Sequence, residues 1–197
     1  MILLAGGIGS GKSVVARLLR LKGFGVYDCD TRASWLMEHD DNLREELREA
    51  AGKEVYDTSG RLDRKYLSEK MFVDCRLRKE VNRVVHSAVR KDIRSWLDED
   101  KANVVVESAI GSESGLLDEA DEVWLVVASE NERLSRVLQR DFHRSKEDVL
   151  RIIKVQENEE TSILQSEKHV VRIYNNPGNA LMPQIEENIK RINNQNK

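Results

Sequence analysis

Short apolar runs, separated by longer stretches with helical periodicity, make up most of the chain. Five of these runs are four to seven residues long, which is typical of strands buried on both faces of a parallel sheet. They occupy residues 2–5, 24–27, 103–107, 122–128 and 170–174. Because a helix is the usual connection between neighbouring parallel strands, the pattern predicts an α/β fold with a five-stranded parallel sheet sandwiched by helices.

Capping residues indicate where helices begin and end. A helix is predicted over residues 14–22, and Gly23 follows it, where a left-handed backbone commonly ends a helix. Ser129 and Ser145 are each followed three residues later by an acid, the pattern of a helix start. Ile185 begins a stripe of isoleucines that predicts one more amphipathic helix.

The stretch between the second and third predicted strands, residues 31–101, is too long for one connecting helix. Asp63 and Asp74 are candidate N-caps within it, and apolar residues from Leu77 to Leu97 recur with helical spacing. We therefore predict a helical lobe inserted into a single domain, and not a second domain.

Composition and charge exclude whole classes of protein. Hydrophobic residues make up 40% and charged residues 34% of the 197 residues, and the formal net charge of −3 argues against general nucleic-acid binding. Cys29 and Cys75 are too few for a disulfide framework or a zinc site, which suits a reducing compartment. The chain opens on a predicted strand, with no targeting segment, and no apolar stretch reaches the roughly 18 residues of a membrane span. We expect a cytoplasmic protein.

Positive charge is concentrated in the predicted lobe. Residues 61–94 hold eleven Lys or Arg and five Asp or Glu, a local charge of +6, which leaves −9 for the rest of a chain whose formal net charge is −3. Two interpretations remain open: a surface that attracts an anionic ligand, or a solvated face of charged helices.

One motif, between the first predicted strand and the first predicted helix, fits the phosphate-loop pattern Gly-x-x-x-x-Gly-Lys-Ser. It reads Gly6-Gly7-Ile8-Gly9-Ser10-Gly11-Lys12-Ser13. Amides in a loop with few Cβ atoms and the positive end of a helix dipole both favour a polyphosphate. In this pattern the lysine reaches the β- and γ-phosphates, and the serine hydroxyl ligates Mg²⁺. A glycine turn without a ligand is the alternative; we favour nucleotide binding.

Two carboxylates follow the second predicted strand, in the run Asp28-Cys29-Asp30. The C-terminal ends of strands in an open α/β sheet line the ligand crevice, and residues 28 and 30 of an extended segment share one side. Both carboxylates are therefore candidates for a reaction centre, with Asp30 as the candidate general base. A turn or a helix N-cap built from aspartate is the alternative.

Weaker candidates follow the third and fourth predicted strands. Glu107 ends the third apolar run, as the acid of a Walker B segment does. Arg133, Arg136 and Arg140 recur along one predicted helix, where Arg136 and Arg140 are candidates to clamp transferring phosphates; a solvated face is the alternative. His86 lies among apolar residues of the long lobe helix, where a structural histidine is the more common outcome.

The order of these motifs resembles that of the dephospho-coenzyme A kinases. In that family a Thr-Gly-Gly-Ile-Gly-Ser-Gly-Lys-Ser run opens the chain, Asp-Ala-Asp follows the second strand, an Arg-Asp pair precedes a lid, and an Asn-x-Gly follows the last strand. The lobe carries a Gly-x-Leu-(Asp/Asn) turn and a helical His-Pro. The counterparts here are Ala5 to Ser13, Asp28-Cys29-Asp30, Arg140-Asp141, Asn176-Pro177-Gly178, Gly60-Arg61-Leu62-Asp63 and His86-Ser87.

The resemblance implies ATP-dependent phosphorylation of the 3′-hydroxyl of dephospho-coenzyme A, with Mg²⁺, by a P-loop kinase-like fold that has an inserted helical substrate lobe and a lid. On this basis we expect one domain with its core at about residues 1–30, 102–140 and 165–197, a coenzyme-binding insertion at about 31–101 and a lid at about 141–160. The expected partner is the small-molecule acceptor, with no nucleic acid or membrane, and the expected state is a monomer or weak homo-oligomer.

The motifs and the resemblance together assign roles to individual residues. The expected catalytic residues are Asp30, Lys12 and Arg140, and the expected metal ligand is Ser13. The expected ATP contacts are Gly9, Ser10, Gly11, Lys12, Ser13, Val14 and Asn176. The expected acceptor contacts are Asp28, Arg61, His86, Arg90 and Glu113.

Departures from the family pattern leave two other functions open. Residues 109–113 replace the usual Pro-Leu-Leu-Phe-Glu run, which is compatible with a kinase of the same architecture for another small acceptor, such as a nucleoside monophosphate. Ile152 stands where a lid arginine is expected, which is compatible with a nucleotide-binding regulatory protein of little transfer activity. A GTPase is disfavoured, because the sequence has no Asn-Lys-x-Asp run for guanine.

Overall fold

The structure, a computed structural model, describes residues 1–97, 103–109, 111 and 114–195. The chain forms two compact units, one made of Met1–Tyr27 with Lys101–Lys197 and the other of Asp28–Asp100. We call them the sheet unit and the helical unit. The finer division into a core, an insertion and a lid stays a prediction.

The predicted five-stranded sheet is confirmed. Its strands are β1 (Ile2–Ala5), β2 (Gly25–Asp28), β3 (Val104–Glu107), β4 (Glu122–Val127) and β5 (His169–Tyr174), each within one residue of its predicted bounds. The order is β2-β3-β1-β4-β5, and β1 pairs in parallel with β3 and β4, as β4 does with β5. Leu4 of β1 is in register with Glu107 of β3 and Trp124 of β4, so the loop after β1 starts beside the end of β3.

Helices alternate with these strands, and one group of four follows β2 without an intervening strand. In chain order the helices are α1 (Lys12–Leu21), α2 (Cys29–His39), α3 (Asp41–Ala51), α4 (Arg64–Val73), α5 (Cys75–Leu97), α6 (Leu116–Glu119), α7 (Glu130–Arg140), α8 (Lys146–Gln165) and α9 (Leu181–Gln195). Among the described residues, none of these helices combines the length and the apolar character that a bilayer crossing requires.

The main core of the sheet unit lies between the sheet and the helices α1 and α9. Leu4 and Trp124 from the strands pack there with Leu19 of α1 and Ile185 of α9, and all four side chains are fully buried. Burial of one large apolar side chain stabilises a fold by about 1.5–3 kcal/mol. This packing therefore fixes β1 and α1, the two elements between which the phosphate loop runs.

A second cluster joins α7 to α8. Val137 of α7 packs with Val149 and Ile153 of α8, and Ile8 of the phosphate loop packs against them. Both helices begin where the capping pattern predicted: the Ser129 hydroxyl accepts a hydrogen bond from the amide of Glu132 (3.4 Å), and the Ser145 hydroxyl caps α8 in the same way. The loop thus has apolar neighbours from both helices.

The helical unit is built around the long predicted helix, α5, against which α2, α3 and α4 pack. Val84 and Ile93 of α5 are buried, as are Leu36 of α2 and Leu47 of α3. The apolar spacing from Leu77 onward had predicted this helix.

Both aspartates predicted as N-caps in this unit are confirmed. The Asp63 carboxylate accepts a hydrogen bond from the amide of Tyr66 (2.9 Å) at the start of α4. The Asp74 carboxylate accepts from the amides of Arg76 (2.8 Å) and Leu77 (3.0 Å) at the start of α5. Each cap satisfies amides that have no partner within the helix.

Candidate active site

The phosphate loop connects β1 to the N-terminus of α1. Gly11 is the N-cap residue of α1, with φ 99°, and no side chain caps this helix. A helix N-terminus without a side-chain cap is the form in which helices bind phosphate groups. Gly9 also has a left-handed backbone (φ 74°), and a Cβ there would lie 2.5 Å from the carbonyl oxygen of Arg133. Val14, in the first turn of α1, is half exposed.

Ser10 is a buried residue of the loop, and its hydroxyl has no hydrogen-bond partner among the described residues. An unpaired buried hydroxyl costs about 1–3 kcal/mol. A polyphosphate is a ligand with many acceptor oxygens. The orphaned hydroxyl and the uncapped helix therefore both fit a bound polyphosphate.

Lys12 and Ser13 bond to different parts of the site. The Lys12 ammonium donates a hydrogen bond to the carbonyl oxygen of Gly6 (2.6 Å), across the loop. The Ser13 hydroxyl donates to Oε1 of Glu107 (3.0 Å), which is buried at the end of β3. Glu107, which the sequence indicated only weakly through its place at the end of an apolar run, thus contacts the predicted metal ligand Ser13.

The serine hydroxyl and the glutamate carboxylate are hard oxygen donors of the kind Mg²⁺ prefers. Within the described ranges, no group of three or more His, Cys, Asp or Glu side chains gathers into a metal site. Mg²⁺ in phosphoryl-transfer sites takes only one or two protein ligands together with substrate phosphates. The pair Ser13 and Glu107 therefore fits Mg²⁺ held jointly with a nucleotide.

Arg136 of α7 holds the backbone of the loop. Its guanidinium donates to the carbonyl oxygens of Gly9 (3.3 Å) and Asn175 (2.8 Å) and forms an ion pair with Glu132 (3.4 Å). The Asn175 side-chain amide donates to the carbonyl oxygen of Ser10 (2.7 Å). Asn175 was missed in the sequence, where the Asn-x-Gly pattern pointed to its neighbour.

That neighbour, Asn176, has another contact. Its side-chain oxygen accepts a hydrogen bond from the amide of Ser129 (2.8 Å), just before α7. Asn175 thus bonds to the phosphate loop, whereas Asn176 bonds to the residue before α7. The role of Asn176 in ATP binding stays a prediction.

Arg140, at the end of α7, is largely exposed and pairs with the adjacent Asp141 (3.2 Å). The hydrogen bond from Arg140 is the main cause that lowers the pKa of the Asp141 carboxyl. The predicted lid, residues 141–160, is a short turn followed by most of α8. One residue of this segment, Gln156, accepts a hydrogen bond from the amide of Ile8 (2.6 Å). The catalytic role of Arg140 and the movement of a lid stay predictions.

Asp28 and Asp30 do not lie on one side of an extended segment, so that expectation is wrong. The strand β2 ends at Asp28 and α2 begins at Cys29. The Asp28 carboxylate caps the helix, accepting hydrogen bonds from the amide (3.0 Å) and hydroxyl (2.9 Å) of Thr31. Aspartate is a strong N-cap, and it starts the helix at once. Asp30 is exposed in the first turn of α2.

The other expected acceptor contacts also lie in the helical unit, apart from Glu113, which lies outside the described residues. His86 and Arg90, both half-buried, are four residues apart on α5 and so share one face of it. Arg61 is exposed before α4, where its guanidinium donates to the hydroxyl of Ser59 (3.0 Å) and pairs with Asp57 (3.6 Å). Among the acceptor candidates that the structure describes, His86 and Arg90 are a pair on one helix face.

Comparisons with known proteins show which family the chain resembles. A protein of Porphyromonas gingivalis named dephospho-CoA kinase is 36% identical over 190 residues, which cover 96% of this chain and 92% of that protein. A dephospho-CoA kinase of Bacteroides fragilis is 34% identical over 186 residues, covering 93% and 88%.

Solved structures agree as well. The Thermus thermophilus protein TT1252 matches with a TM-score of 0.79 and 31% identity, over 98% of this chain and 96% of that one. The fold also matches a Campylobacter jejuni dephospho-CoA kinase, with a TM-score of 0.69 and 20% identity over 100% and 98%. A shikimate kinase of Bacteroides thetaiotaomicron, at 13% identity and a TM-score of 0.52, shares the fold alone.

The family model described as dephospho-CoA kinase matches residues 1–178. This match covers the phosphate loop, the helical unit, α7, α8 and β5. The chain is therefore a P-loop kinase, a transferase that uses ATP, and it belongs to the dephospho-CoA kinase family.

Proposed function

We propose that this protein transfers the γ-phosphoryl group of ATP to the 3′-hydroxyl of dephospho-coenzyme A, giving coenzyme A and ADP, the last step of coenzyme A synthesis. The observation that carries the proposal is the phosphate loop, in a chain that belongs to this family. In this loop the Lys12 ammonium bonds to the carbonyl oxygen of Gly6, and the Ser13 hydroxyl bonds to Glu107. We also propose a cytoplasmic location and a monomer or weak homo-oligomer.

The donor half of the reaction belongs to the sheet unit. The loop amides from Gly9 to Val14 would bind the phosphate oxygens of ATP at the uncapped N-terminus of α1. Lys12 would leave the Gly6 carbonyl and neutralise negative charge on the transferring group. Ser13 and Glu107 would hold Mg²⁺, which supplies charge neutralisation on the phosphates when bound.

Apart from Glu113, the proposed acceptor residues belong to the helical unit. As the 3′-oxygen forms its bond to the γ-phosphorus, the bond from that phosphorus to the departing ADP oxygen breaks, and the hydroxyl proton passes to the Asp30 carboxylate. From the sheet unit, Arg140 would neutralise the transferring group, and residues 141–160 would close to exclude water. The proposed acceptor contacts are Asp28, Arg61, His86, Arg90 and Glu113, and Asn176 would contact ATP.

A cavity of about 470 Å³ in the helical unit supports a long acceptor. Its lining is mostly apolar side chains of α2, α4 and α5, together with the polar side chains of Ser68, Asn82, Arg64 and Arg78. Met37 of its wall is seven residues after Asp30 on α2, about 10 Å along the helix axis. We propose that the pantetheine arm enters this cavity while its pyrophosphate faces the arginines.

The test is a coupled assay of ADP release with and without dephospho-coenzyme A, with nucleoside monophosphates as alternative acceptors. We expect ADP release that depends on dephospho-coenzyme A, together with a product phosphorylated at the 3′ position. ADP release with a nucleoside monophosphate but not with dephospho-coenzyme A would identify a kinase of the same architecture for another small acceptor. ATP binding without any acceptor-dependent release would point to a regulatory protein.

A further inference from the structure

Arg133 is an arginine of α7 that lies buried against the phosphate loop, only 5% exposed. Its Nε donates a hydrogen bond to the carbonyl oxygen of Ile8 (3.0 Å), and its Nη1 pairs with the carboxylate of Glu160 on α8 (3.0 Å). Burying a charge is costly unless it is paired. Arg133 thus has its partners on two elements, the loop and α8.

The helix α8 also bonds to Ile8, through the backbone amide of this residue. The amide of Ile8 donates to the side-chain oxygen of Gln156 (2.6 Å), and this oxygen is also 3.4 Å from Nη2 of Arg133. Both backbone polar groups of Ile8 therefore bond to side chains more than 100 positions away in the sequence. Local loop geometry alone therefore does not set the backbone at Ile8.

Gly7 is the other loop residue that Arg133 touches. A Cβ on Gly7 would lie 1.8 Å from Nη2 and 2.6 Å from Cζ of Arg133. Distances this short exclude any side chain at position 7 while the guanidinium is in place. The side-chain oxygen of Gln156 would also lie 3.0 Å from this Cβ, so the requirement for glycine comes mainly from the arginine.

We propose that Arg133 is a positioning residue of the phosphate loop: it sets the Gly7–Ile8 backbone for ATP and links it to α8 through Glu160. The proposal rests on the proposed function only in so far as the loop binds ATP. Lysine cannot replace this arginine fully, because one ammonium lacks the planar fork that serves the Ile8 carbonyl and the Glu160 carboxylate together.

The first experiment measures ATP binding by calorimetry, without acceptor, and then steady-state kinetics. Arg133→Ala should weaken ATP binding about tenfold or more, the effect of losing a hydrogen bond from a charged group. The KM for dephospho-coenzyme A should stay unchanged, and Arg133→Lys should recover part of the loss. The matched control is Arg191→Ala, which removes an arginine paired with Glu122 (2.6 Å) elsewhere in the sheet unit; it should leave ATP binding unchanged.

The second experiment is a double-mutant cycle. Gly7→Ala should weaken ATP binding strongly in the native background and much less in the Arg133→Ala background, because the obstructing guanidinium is then gone. Thermal unfolding of each variant shows whether it folds. If Arg133→Ala does not fold, the ATP affinities of Arg133→Lys and Gly7→Ala test the proposal instead.

Unchanged ATP affinity in Arg133→Ala, or an equal Gly7→Ala penalty in both backgrounds, would overturn the proposal. ATP binding without phosphorylation of dephospho-coenzyme A would overturn the proposed function and leave this proposal intact.

Discussion

The phosphate loop and the candidate acceptor residues are held in place by different kinds of contact. In the loop, the carbonyl oxygens of Gly9 and Ser10 accept hydrogen bonds from Arg136 and Asn175, which are distant in sequence. In the helical unit, Asp28 and Arg61 bond to residues within four positions of themselves in the sequence, as in the bonds from Thr31 to Asp28. The donor site is thus formed mainly by backbone groups of a loop, whereas the acceptor candidates are side chains on or next to helices of the helical unit. Changes in the two regions should affect different kinetic constants.

The largest expected effect tests the acceptor side. Asp30→Asn should lower kcat by about 10²–10⁴, the usual contribution of a general base, because the amide cannot accept the hydroxyl proton. ATP affinity should stay nearly intact, as measured by calorimetry beside the ADP-release assay. Asp41→Asn, which changes another first-turn acid of the same unit, is the control. A normal kcat in Asp30→Asn would remove Asp30 from the role of base.

The next effect tests the donor side. Lys12→Ala should lower kcat/KM for ATP by about 10²–10³, since one preorganised charge on the transferring group contributes on this scale. The KM for dephospho-coenzyme A should change little. Lys22→Ala, at the end of α1 in an ion pair with Glu186 (2.6 Å), should behave as the native protein. An equal loss in both lysine variants would show that the effect is not specific to the loop.

A smaller effect tests the cavity of the helical unit. Ser68 lines it and is exposed, so Ser68→Trp fills the space without disturbing the core. We expect the KM for dephospho-coenzyme A to rise about tenfold, the scale on which one pocket contact discriminates ligands, with the KM for ATP unchanged. Glu69→Trp, the exposed neighbour, should have no such effect. An unchanged acceptor KM in Ser68→Trp would place the pantetheine arm elsewhere.

The smallest effect concerns the stability of α5. Hydrogen bonds from the amides of Leu77 and then Arg76 lower the pKa of Asp74. A lowered pKa in the folded state means that the cap stabilises at neutral pH and that this stabilisation is lost as pH falls through the lowered value. Asp74→Ala should lower Tm by a few degrees at neutral pH. Asp74→Asn should keep most of Tm but reduce its dependence on acid pH; thermal unfolding from neutral to acid pH measures both.

The sequence predicted the sheet and the caps because their causes are local. Buried parallel strands are apolar along their whole length, and all five were identified. Ser129, Ser145, Asp63 and Asp74 cap helices as expected, since a cap needs only the residue and the amides that follow it. The phosphate loop was recognised from its glycines and Lys12 for the same reason.

What the sequence did not predict depends on long-range contacts. The spacing of Arg133, Arg136 and Arg140 places them along one helix but does not show which of them is buried against the loop. From the sequence, Arg136 and Arg140 are therefore the candidates, and not Arg133. Asn175 and Asn176 are adjacent, so only the fold distinguishes the one that bonds to Ser10. The run Asp28-Cys29-Asp30 is compatible with both an extended segment and a helix N-cap, and only the fold shows that Asp28 is the cap.

The connection between β2 and α2 has no spare residues, because Asp28 both ends the strand and caps the helix. An insertion or deletion here cannot be accommodated in a connecting loop. One residue inserted between Asp28 and Asp30 would rotate every later side chain of α2 by about 100° around the helix axis. The direction of the Asp30 side chain around α2 therefore depends on the exact number of residues between β2 and α2. A single insertion there would rotate Asp30 away from its present direction.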